Sequence, residues 1–292
     1  MRGFIPAVLF LTALVLPAAD RRELKPGFNI FTLDQDIQMG QQSAAEVRKT
    51  QAVVDNDELT AYLARIAARL GKSPRAGKFP FQFAVLNDKS INAFALPGGP
   101  IFVHTGLLAA IDNESQLAGV LAHEMSHVAL RHGTHEASKA LLVEAPAALL
   151  GATIGDDSTI AKLAQQGIAL GAQSVLLKYS RDAERDADLN GTRMMNDAGY
   201  NPIEMARFFE KLQTQGSAGN GLLANWLSDH PSPGNRVQAV QDEIPYLPTV
   251  SYRESEPRTI IHIKRIVATL PPPPSKAPAP DSTAPAPDTK SQ

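Results

Sequence analysis

The sequence predicts an α+β fold that is mostly helical, with a small antiparallel sheet beside a helix that carries two histidines and a glutamate. Apolar residues recur at helical spacing in several long segments. Three short segments between residues 81 and 106 are instead rich in β-branched and aromatic residues and are separated by turn residues. With 292 residues, 43% of them hydrophobic, the chain is long enough to bury one sizeable core.

The first elements along the chain are two helices and three strands. Residues 33–50 and 58–70 repeat apolar residues at helical spacing, and Gly71 is placed to end the second helix. The three predicted strands are FQFAVL (81–86), INAFAL (91–96) and PIFVHTG (100–106).

The next predicted helix begins at Asn113, a good N-cap with Gln116 three residues later. Its apolar pattern continues through Leu130, and Gly133 closes it. Residues 137–178 are rich in Ala, Leu and Gly and are predicted to form a helical hairpin. Neither half has the roughly 18 uninterrupted apolar residues that a membrane span requires. The hairpin is therefore expected to pack on the core, with contact to lipid or to a partner as the alternative.

The C-terminal third is predicted to be helical before it becomes irregular. A polar helix covers about 179–197 and another covers 202–213, whereas SDHPSPGNR (228–236) has the composition of a loop. RTIIHIKRIVATL (258–270) is consistent with a terminal strand. Residues 271–292 are rich in proline and alanine and cannot bury a core, so we expect a disordered tail.

Residues 1–19 have the features of a secretory signal peptide. Arg2 precedes an apolar run from Phe4 to Leu16, and small residues follow. The run is too short for a comfortable membrane span of about 20 residues, although an uncleaved N-terminal anchor remains the alternative. We therefore expect a periplasmic or secreted protein.

The composition limits the classes of function. The absence of cysteine excludes disulfides and thiolate metal sites, so any metal must be held by His, Asp or Glu. A net charge of −2 without basic blocks gives no reason to expect a nucleic-acid partner. We expect one folded domain over residues 20–270.

The segment LAHEMSHVALRHG (121–133) has the spacing of a metal site. Positions four apart on an α-helix differ by about 40°, so His123 and His127 project from one face and can bind one ion. Glu124 is rotated further, beside the ion position, where it can take a proton from an attacking water. This H-E-x-x-H arrangement is typical of zinc peptidases. The alternative is a pair of hydrogen-bonded core histidines with Glu124 at the surface.

A catalytic zinc site needs a third protein ligand and an open fourth position. In YSRDAERDADLNG (179–191), Glu184 can bind the ion while Asp188 accepts the outer N–H of a ligand histidine. A solvated helix with i,i+4 ion pairs explains the same residues equally well, so both interpretations stay open. His132 and His135 lie too close along the same helix end to fold back easily.

Four separated motifs resemble metallopeptidase family 48, the group of HtpX, CAAX prenyl protease and BepA-like zinc metallopeptidases. The motifs are FALPGGPIFVHTGLL, HEMSH, YSRDAERDAD and DHPSPGNRV, and the similarity runs from about Leu33 to Val240. The resemblance implies a zincin-like fold of the gluzincin type. It implies one Zn²⁺ on His123, His127 and Glu184, with Glu124 as general base and acid.

The resemblance also implies roles for residues around the ion, with Asp188 placed behind a ligand histidine. Arg236 resembles an arginine that stabilises the oxyanion of the tetrahedral intermediate, and His230 would do similar work or bind zinc itself, which would make the enzyme latent. The alternative for both is a proline-held turn in which Arg236 pairs with a carboxylate. The substrate backbone would add to the strand that contains Asn92, Ala93 and Phe94, although core packing explains Phe94 equally well.

These features predict a zinc-dependent endopeptidase of the cell envelope that hydrolyses unfolded or damaged proteins. The alternative is a zinc-stabilised periplasmic chaperone that binds unfolded outer-membrane proteins with little cleavage. We also expect peripheral membrane association through residues 137–178. The remaining histidines are expected to be structural or at the surface: His104, His132, His135 and His262.

Overall fold

The structure is a computed structural model that describes residues 22–144, 179–217, 226, 229–230, 235–254 and 256–273. Its helices in these residues are α1 (Leu33–Thr50), α2 (Asp57–Leu70), α3 (Thr105–Ala110), α4 (Glu114–Ala129), α5 (His132–Glu144), α6 (Arg181–Asp197), α7 (Ile203–Ser217), α8 (Arg236–Glu243) and α9 (Pro257–Thr269). Its strands are β1 (Gln82–Leu86), β2 (Ala93–Ala95) and β3 (Pro100–His104). The predicted α+β, mostly helical fold class is confirmed.

Strand β3 lies in the middle of the sheet, with β1 on one side and β2 on the other. β2 is antiparallel to β3, whereas β1 is parallel to it. The expectation of a wholly antiparallel sheet is therefore corrected to a mixed sheet. The residue pattern predicts which segments are strands but not which strands pair. Residues 87–92 carry the chain from β1 to the far side of β3, and this connection makes β1 a parallel neighbour of β3.

The turn between β2 and β3 is pressed against α1. Gly98 has a φ of 75°, and a Cβ built on it would lie 2.4 Å from the Cα of Ile37. On the helix side, a Cβ on Gly40 would lie 1.7 Å from the carbonyl oxygen of Pro97. Only glycine permits such a close approach of two backbones. The contact holds the β2–β3 turn in place, and β2 itself packs against α4.

Helix α4 runs through the core of the protein. As predicted, it begins after Asn113, whose side chain accepts a hydrogen bond of 2.9 Å from the backbone N–H of Gln116. Every residue from Ser115 to Val128 is buried. Helix α6 packs closely against it, and a Cβ on Gly191 would lie 3.1 Å from the backbone nitrogen of His123. This close packing brings the side chains of α6 to the histidines of α4.

The end of α4 differs from the prediction. The helix ends at Ala129, before Gly133, and Gly133 lies within α5. The chain turns at Arg131, which has a φ of 56° and therefore adopts the left-handed conformation common after helix ends. The Arg131 guanidinium offsets this strain by donating two hydrogen bonds to the buried carboxylate of Asp36.

Residues 258–270 lie almost entirely in helix α9, so the expectation of a terminal strand is wrong. Ile260 and Ile263 lie three positions apart and are buried on one face, whereas His262 is exposed. The β-branched residues favour a strand locally, but the burial of this face against the core, including α3, outweighs that preference.

Several predictions concern residues outside the described ranges. They are the signal peptide at 1–19, most of the hairpin at 137–178 and nearly all of the tail from 271. Helix α5 covers the first part of the predicted hairpin, up to Glu144. None of the helices in the described ranges combines the length and the hydrophobicity needed to cross a membrane.

Candidate metal centre and active site

Four side chains from three parts of the chain converge on one point. His123 and His127 lie one turn apart on α4, Glu184 lies on α6, and His230 follows α7 in the chain. One possible ligand atom from each lies within 4.8 Å of the other three. The Nε2 atoms of His123 and His127 are 3.1 Å apart, and the Glu184 carboxylate oxygens lie 3.3 Å and 3.4 Å from them. The structure thus brings the three predicted ligands together.

The chemistry of this cluster fits a divalent metal ion. The four side chains are buried, and Glu184 Oε2 has no hydrogen-bond partner among the described residues. Burial and the charge of Arg236 oppose a proton on His123, but the carboxylates of Asp188 and Glu184 beside its ring outweigh them and raise its pKa to about 9. The carboxylates therefore favour a positive charge among these rings, and imidazole with carboxylate is a common ligand set for transition metals.

His230 supplies the fourth of the converging side chains. Its Nδ1 is 3.2 Å from His123 Nε2 and 3.1 Å from Glu184 Oε1. Its other nitrogen, Nε2, lies 3.4 Å from the carbonyl oxygen of Ala93 on β2. The Trp226 ring stacks on the His230 ring with centroids 4.5 Å apart. His230 therefore connects the ligand cluster to the edge of the sheet.

The outer nitrogen of His123 faces a buried ion pair. Its Nδ1 lies 2.9 Å from Asp188 Oδ1, and the Arg236 Nε and Nη2 donate hydrogen bonds of 2.8 Å and 2.6 Å to the Asp188 carboxylate. The guanidinium carbon also lies 4.0 Å from the centre of the Phe209 ring. Arg236 is thus paired with a carboxylate, as the alternative interpretation of this residue predicted. Its predicted role at the oxyanion stays a prediction.

Glu124 lies beside the cluster, and its carboxyl group makes no hydrogen bond within the described part of the chain. The residue is fully buried, and neither oxygen has a hydrogen-bond partner among the described residues. His230 Nε2 lies 3.4 Å from Glu124 Oε1, within the distance of an ion pair if the ring is protonated. The alternative interpretation placed Glu124 at the surface beside two structural histidines. Its position for Glu124 is wrong.

Glu124 and Glu184 have opposite electrostatic surroundings. Burial raises the pKa of Glu124. Burial alone would also raise the pKa of Glu184, but the charge of His230 and hydrogen bonds from the histidines hold it well below its ordinary value. Glu184 therefore stays ionised and suits a ligand, whereas Glu124 has a greater affinity for a proton and suits a general base.

The segment containing His230 covers the edge of β2. Asn92 donates a hydrogen bond of 2.8 Å from its amide to Asp229 Oδ2. Within the described residues, the outer edge of Ala93 meets His230 rather than another strand. The Phe94 ring stacks on Phe102 with centroids 5.2 Å apart, as the core-packing alternative predicts. The substrate-binding role of Asn92, Ala93 and Phe94 remains a prediction.

Two residues beside His127 were missed by the sequence analysis as parts of the site. His132 Nδ1 lies 3.0 Å from His127 Nδ1, and the Tyr179 ring stacks on the His127 ring at 3.9 Å. Burial lowers the pKa of His132 to about 4, so this ring is neutral at pH 7. On an uninterrupted helix a residue five positions on points about 140° away from His127, and only the turn at Arg131 makes the contact possible.

The other three histidines lie away from the cluster. His104 Nδ1 bonds to Ser90 Oγ at 2.7 Å, His135 Nδ1 bonds to the Phe28 carbonyl oxygen at 2.6 Å, and His262 Nε2 contacts Glu58 at the surface.

The comparison with known protein families agrees with this geometry. Residues 55–244 match the family model described as Peptidase family M48. The chain belongs to peptidase family M48. The expected resemblance is confirmed, and with it the enzyme class, because members of this family are metallopeptidases that hydrolyse peptide bonds.

Individual relatives support the assignment. The chain is 30% identical over 213 residues to the beta-barrel assembly-enhancing protease of Escherichia coli strain K12, which is 71% of this chain and 43% of that protein. It is 31% identical over 182 residues to metalloprotease YcaL of the same strain, of which it covers 68%. It is 28% identical over 234 residues to mitochondrial metalloendopeptidase OMA1 of Schizosaccharomyces pombe, of which it covers 66%. The chain therefore spans less than half of the first of these relatives.

Proposed function

We propose that this member of the family is a zinc-dependent endopeptidase of the cell envelope that hydrolyses unfolded or damaged proteins. The observation that carries the proposal is the buried carboxyl group of Glu124, which has no hydrogen-bond partner among the described residues and lies beside the converging side chains of His123, His127 and Glu184. A buried carboxyl group without a hydrogen bond destabilises a fold, and a catalytic role explains why one is kept beside the cluster. The name of the Escherichia coli relative, a beta-barrel assembly-enhancing protease, supports the cell envelope as its place of action.

In this proposal His123, His127 and Glu184 hold the zinc ion, since neutral imidazole and carboxylate match the ligands of catalytic zinc. A zinc ion bound there would supply Lewis acidity toward the attacking water and the scissile carbonyl. Asp188 fixes the orientation of the His123 ring through Nδ1, and Arg236 keeps Asp188 in place.

Glu124 carries out the proton transfers. Its carboxylate takes a proton from the water as the water attacks the carbonyl carbon, and it then gives that proton to the leaving amine as the C–N bond breaks. Arg236 is the candidate for stabilising the oxyanion, because its Nη1 lies 3.5 Å from Glu184 Oε2 and thus close to the cluster. That role would require the guanidinium to share its charge between Asp188 and the substrate.

The substrate would bind as an extended chain along the edge of β2. Backbone hydrogen bonds to Ala93 and its neighbours recognise any main chain, so broad specificity for unfolded proteins follows. Binding requires the segment with Asp229 and His230 to move off this edge first, because both residues now contact β2.

The position of His230 favours a second candidate function. With His230 beside the two histidines and Glu184 and over the strand edge, the protein would be in a closed state, and a zinc-stabilised periplasmic chaperone with little cleavage would have the same arrangement. The two functions differ in what happens to a bound chain.

A digestion assay on an unfolded protein tests the proposal. Incubation with casein or an unfolded porin is expected to yield fragments, a chelator is expected to stop their formation, and added zinc is expected to restore it. Intact substrate that co-purifies with the protein under all three conditions would support the chaperone and contradict the peptidase.

We expect His230→Ala to raise basal cleavage. If the closed state is more stable than the substrate-binding state by about 1–2 kcal/mol, its loss increases the fraction of protein that can bind substrate by about 5- to 30-fold. The initial rate on a fluorescent unfolded substrate measures this effect. His262→Ala, which replaces a histidine at the surface, is the matched control. Unchanged or lower cleavage in His230→Ala with zinc retained would dispose of the latent state.

A periplasmic or secreted location and peripheral membrane association remain proposals. They are motivated by residues 1–19 and 137–178, which lie largely outside the described residues. Complete recovery of the protein in the soluble fraction after lysis at low salt would contradict membrane association.

A further inference from the structure

We propose that His132 is a positioning residue for His127. In this inference the Nδ1 of His132 accepts a hydrogen bond from the Nδ1–H of His127. The bond fixes the tautomer of His127 that leaves the lone pair of its Nε2 facing the ligand cluster. The inference rests on the proposed function only in taking that cluster as a metal site.

The direction of this hydrogen bond follows from the two nitrogens of His127. Its Nε2 faces His123 Nε2 at 3.1 Å and Glu184 Oε1 at 3.3 Å, whereas its Nδ1 faces His132 Nδ1 at 3.0 Å. A neutral imidazole has one N–H donor and one acceptor nitrogen. If Nε2 is to bind a cation, the proton must be on Nδ1, and His132 must then accept it.

A neutral acceptor is suited to this position. The cluster already contains the buried carboxylate of Glu184, and the buried side chains of Glu124, Asp188 and Arg236 lie around it. A fourth carboxylate behind His127 would add another buried negative charge to this site. The imidazole of His132 fixes the ring of His127 without adding charge.

His132 is held in place by the turn at the end of α4. Arg131 adopts the left-handed conformation there and donates hydrogen bonds to Asp36 and, at 2.6 Å, to the carbonyl oxygen of Phe31. These contacts anchor the residue directly before His132. Tyr179 stacks on the face of the His127 ring, so His127 is restrained by Tyr179 on its face and by His132 at its edge.

Three variants separate the hydrogen bond from simple packing. His132→Phe keeps a ring of similar size but removes the acceptor, which leaves the Nδ1–H of His127 unpaired. His132→Asn places an amide oxygen near the position of Nδ1 and keeps the acceptor. His135→Phe is the matched control, because His135 lies on the same helix but bonds to Phe28 rather than to the cluster.

The first measurement is the zinc affinity of the purified full chain, from competition with a chromophoric chelator. His132→Phe is expected to weaken zinc binding by about 10- to 100-fold, as the loss of a hydrogen bond behind a ligand does. His132→Asn is expected to restore most of this loss, and His135→Phe is expected to bind zinc like the wild type. Wild-type affinity in a folded His132→Phe protein would overturn the inference while leaving the proposed function intact.

The second measurement needs no variant. In wild-type protein with ¹⁵N-labelled histidine, nuclear magnetic resonance is expected to show one proton coupled to the Nδ1 atoms of both His127 and His132. Detection of the His127 proton on Nε2 instead would overturn the inference. The spectrum is recorded on the zinc-loaded protein, because without the ion Glu184 Oε1, 3.3 Å from His127 Nε2, can accept a proton from that nitrogen. A failure of the chain to bind zinc in the first measurement would refute the proposed metal site, whereas a proton on Nε2 in the zinc-loaded protein would refute only the role of His132.

Discussion

Replacing Glu124 by glutamine is expected to lower peptide-bond hydrolysis by about 10²- to 10⁴-fold, the usual contribution of a general acid–base residue. Glutamine has nearly the same shape but cannot take a proton from water at neutral pH. Glu124 is not one of the four converging residues, so zinc should remain bound. The fold should also remain, because neither carboxylate oxygen forms a hydrogen bond within the described residues that the substitution could remove.

The experiment combines the initial rate on an unfolded substrate with the zinc content of the same sample. Glu210→Gln is the matched control, since it makes the same chemical change at an exposed position on α7. We expect the control to retain wild-type activity. Proteolysis at the wild-type rate by Glu124→Gln would contradict the assignment of Glu124 as the base.

The second large effect is expected for Glu184→Gln, which should lose zinc affinity. Binding to structural zinc sites contributes about 10–16 kcal/mol, so losing one of three ligands should remove at least roughly 3 kcal/mol, which is about 100-fold in affinity. The substitution also removes the negative charge that faces the Nε2 atoms of His123 and His127. Hydrolysis should fall with the zinc content and recover in part at high zinc concentration.

Zinc dissociation constants and unfolding curves of the metal-free proteins together test this prediction. Asp182→Asn is the control, because Asp182 is an exposed acid in the first turn of the same helix. The unfolding curves show whether Glu184→Gln has weakened the fold instead of the site. A variant that binds zinc as tightly as the wild type would mean that His230, rather than Glu184, completes the site with the two histidines of α4.

The parts of the site that were predicted correctly depend on local spacing. His123 and His127 lie on one helical face because an α-helix has a fixed geometry, and Asn113 marks its start because of its capping side chain. Local sequence preference predicted a strand for residues 258–270, nearly all of which form helix α9 instead. There the β-branched residues favour a strand, and only burial of Ile260 and Ile263 against the rest of the core makes the segment helical.

Contacts between distant residues could be suggested but not decided at the level of the sequence. Glu184 fitted a metal ligand and a solvated helix equally well. The close packing of α6 on α4 at Gly191 turns the Glu184 side chain toward the histidines and buries it, so the solvated-helix alternative is wrong for this residue. The partner of Arg236 was open for the same reason, because Asp188 lies 48 positions away in the chain.

The sequence by itself determined the family, the mostly helical fold class and the paired histidines with their glutamate. These follow from motifs and periodicities that extend over only a few turns of chain. The tertiary structure decided the mixed direction of the sheet, the place of His230 at the strand edge and the contact of His132 with His127. Each of these depends on where a turn or a connection carries the chain, and the packing of whole elements, rather than the preference of any short segment, sets that path.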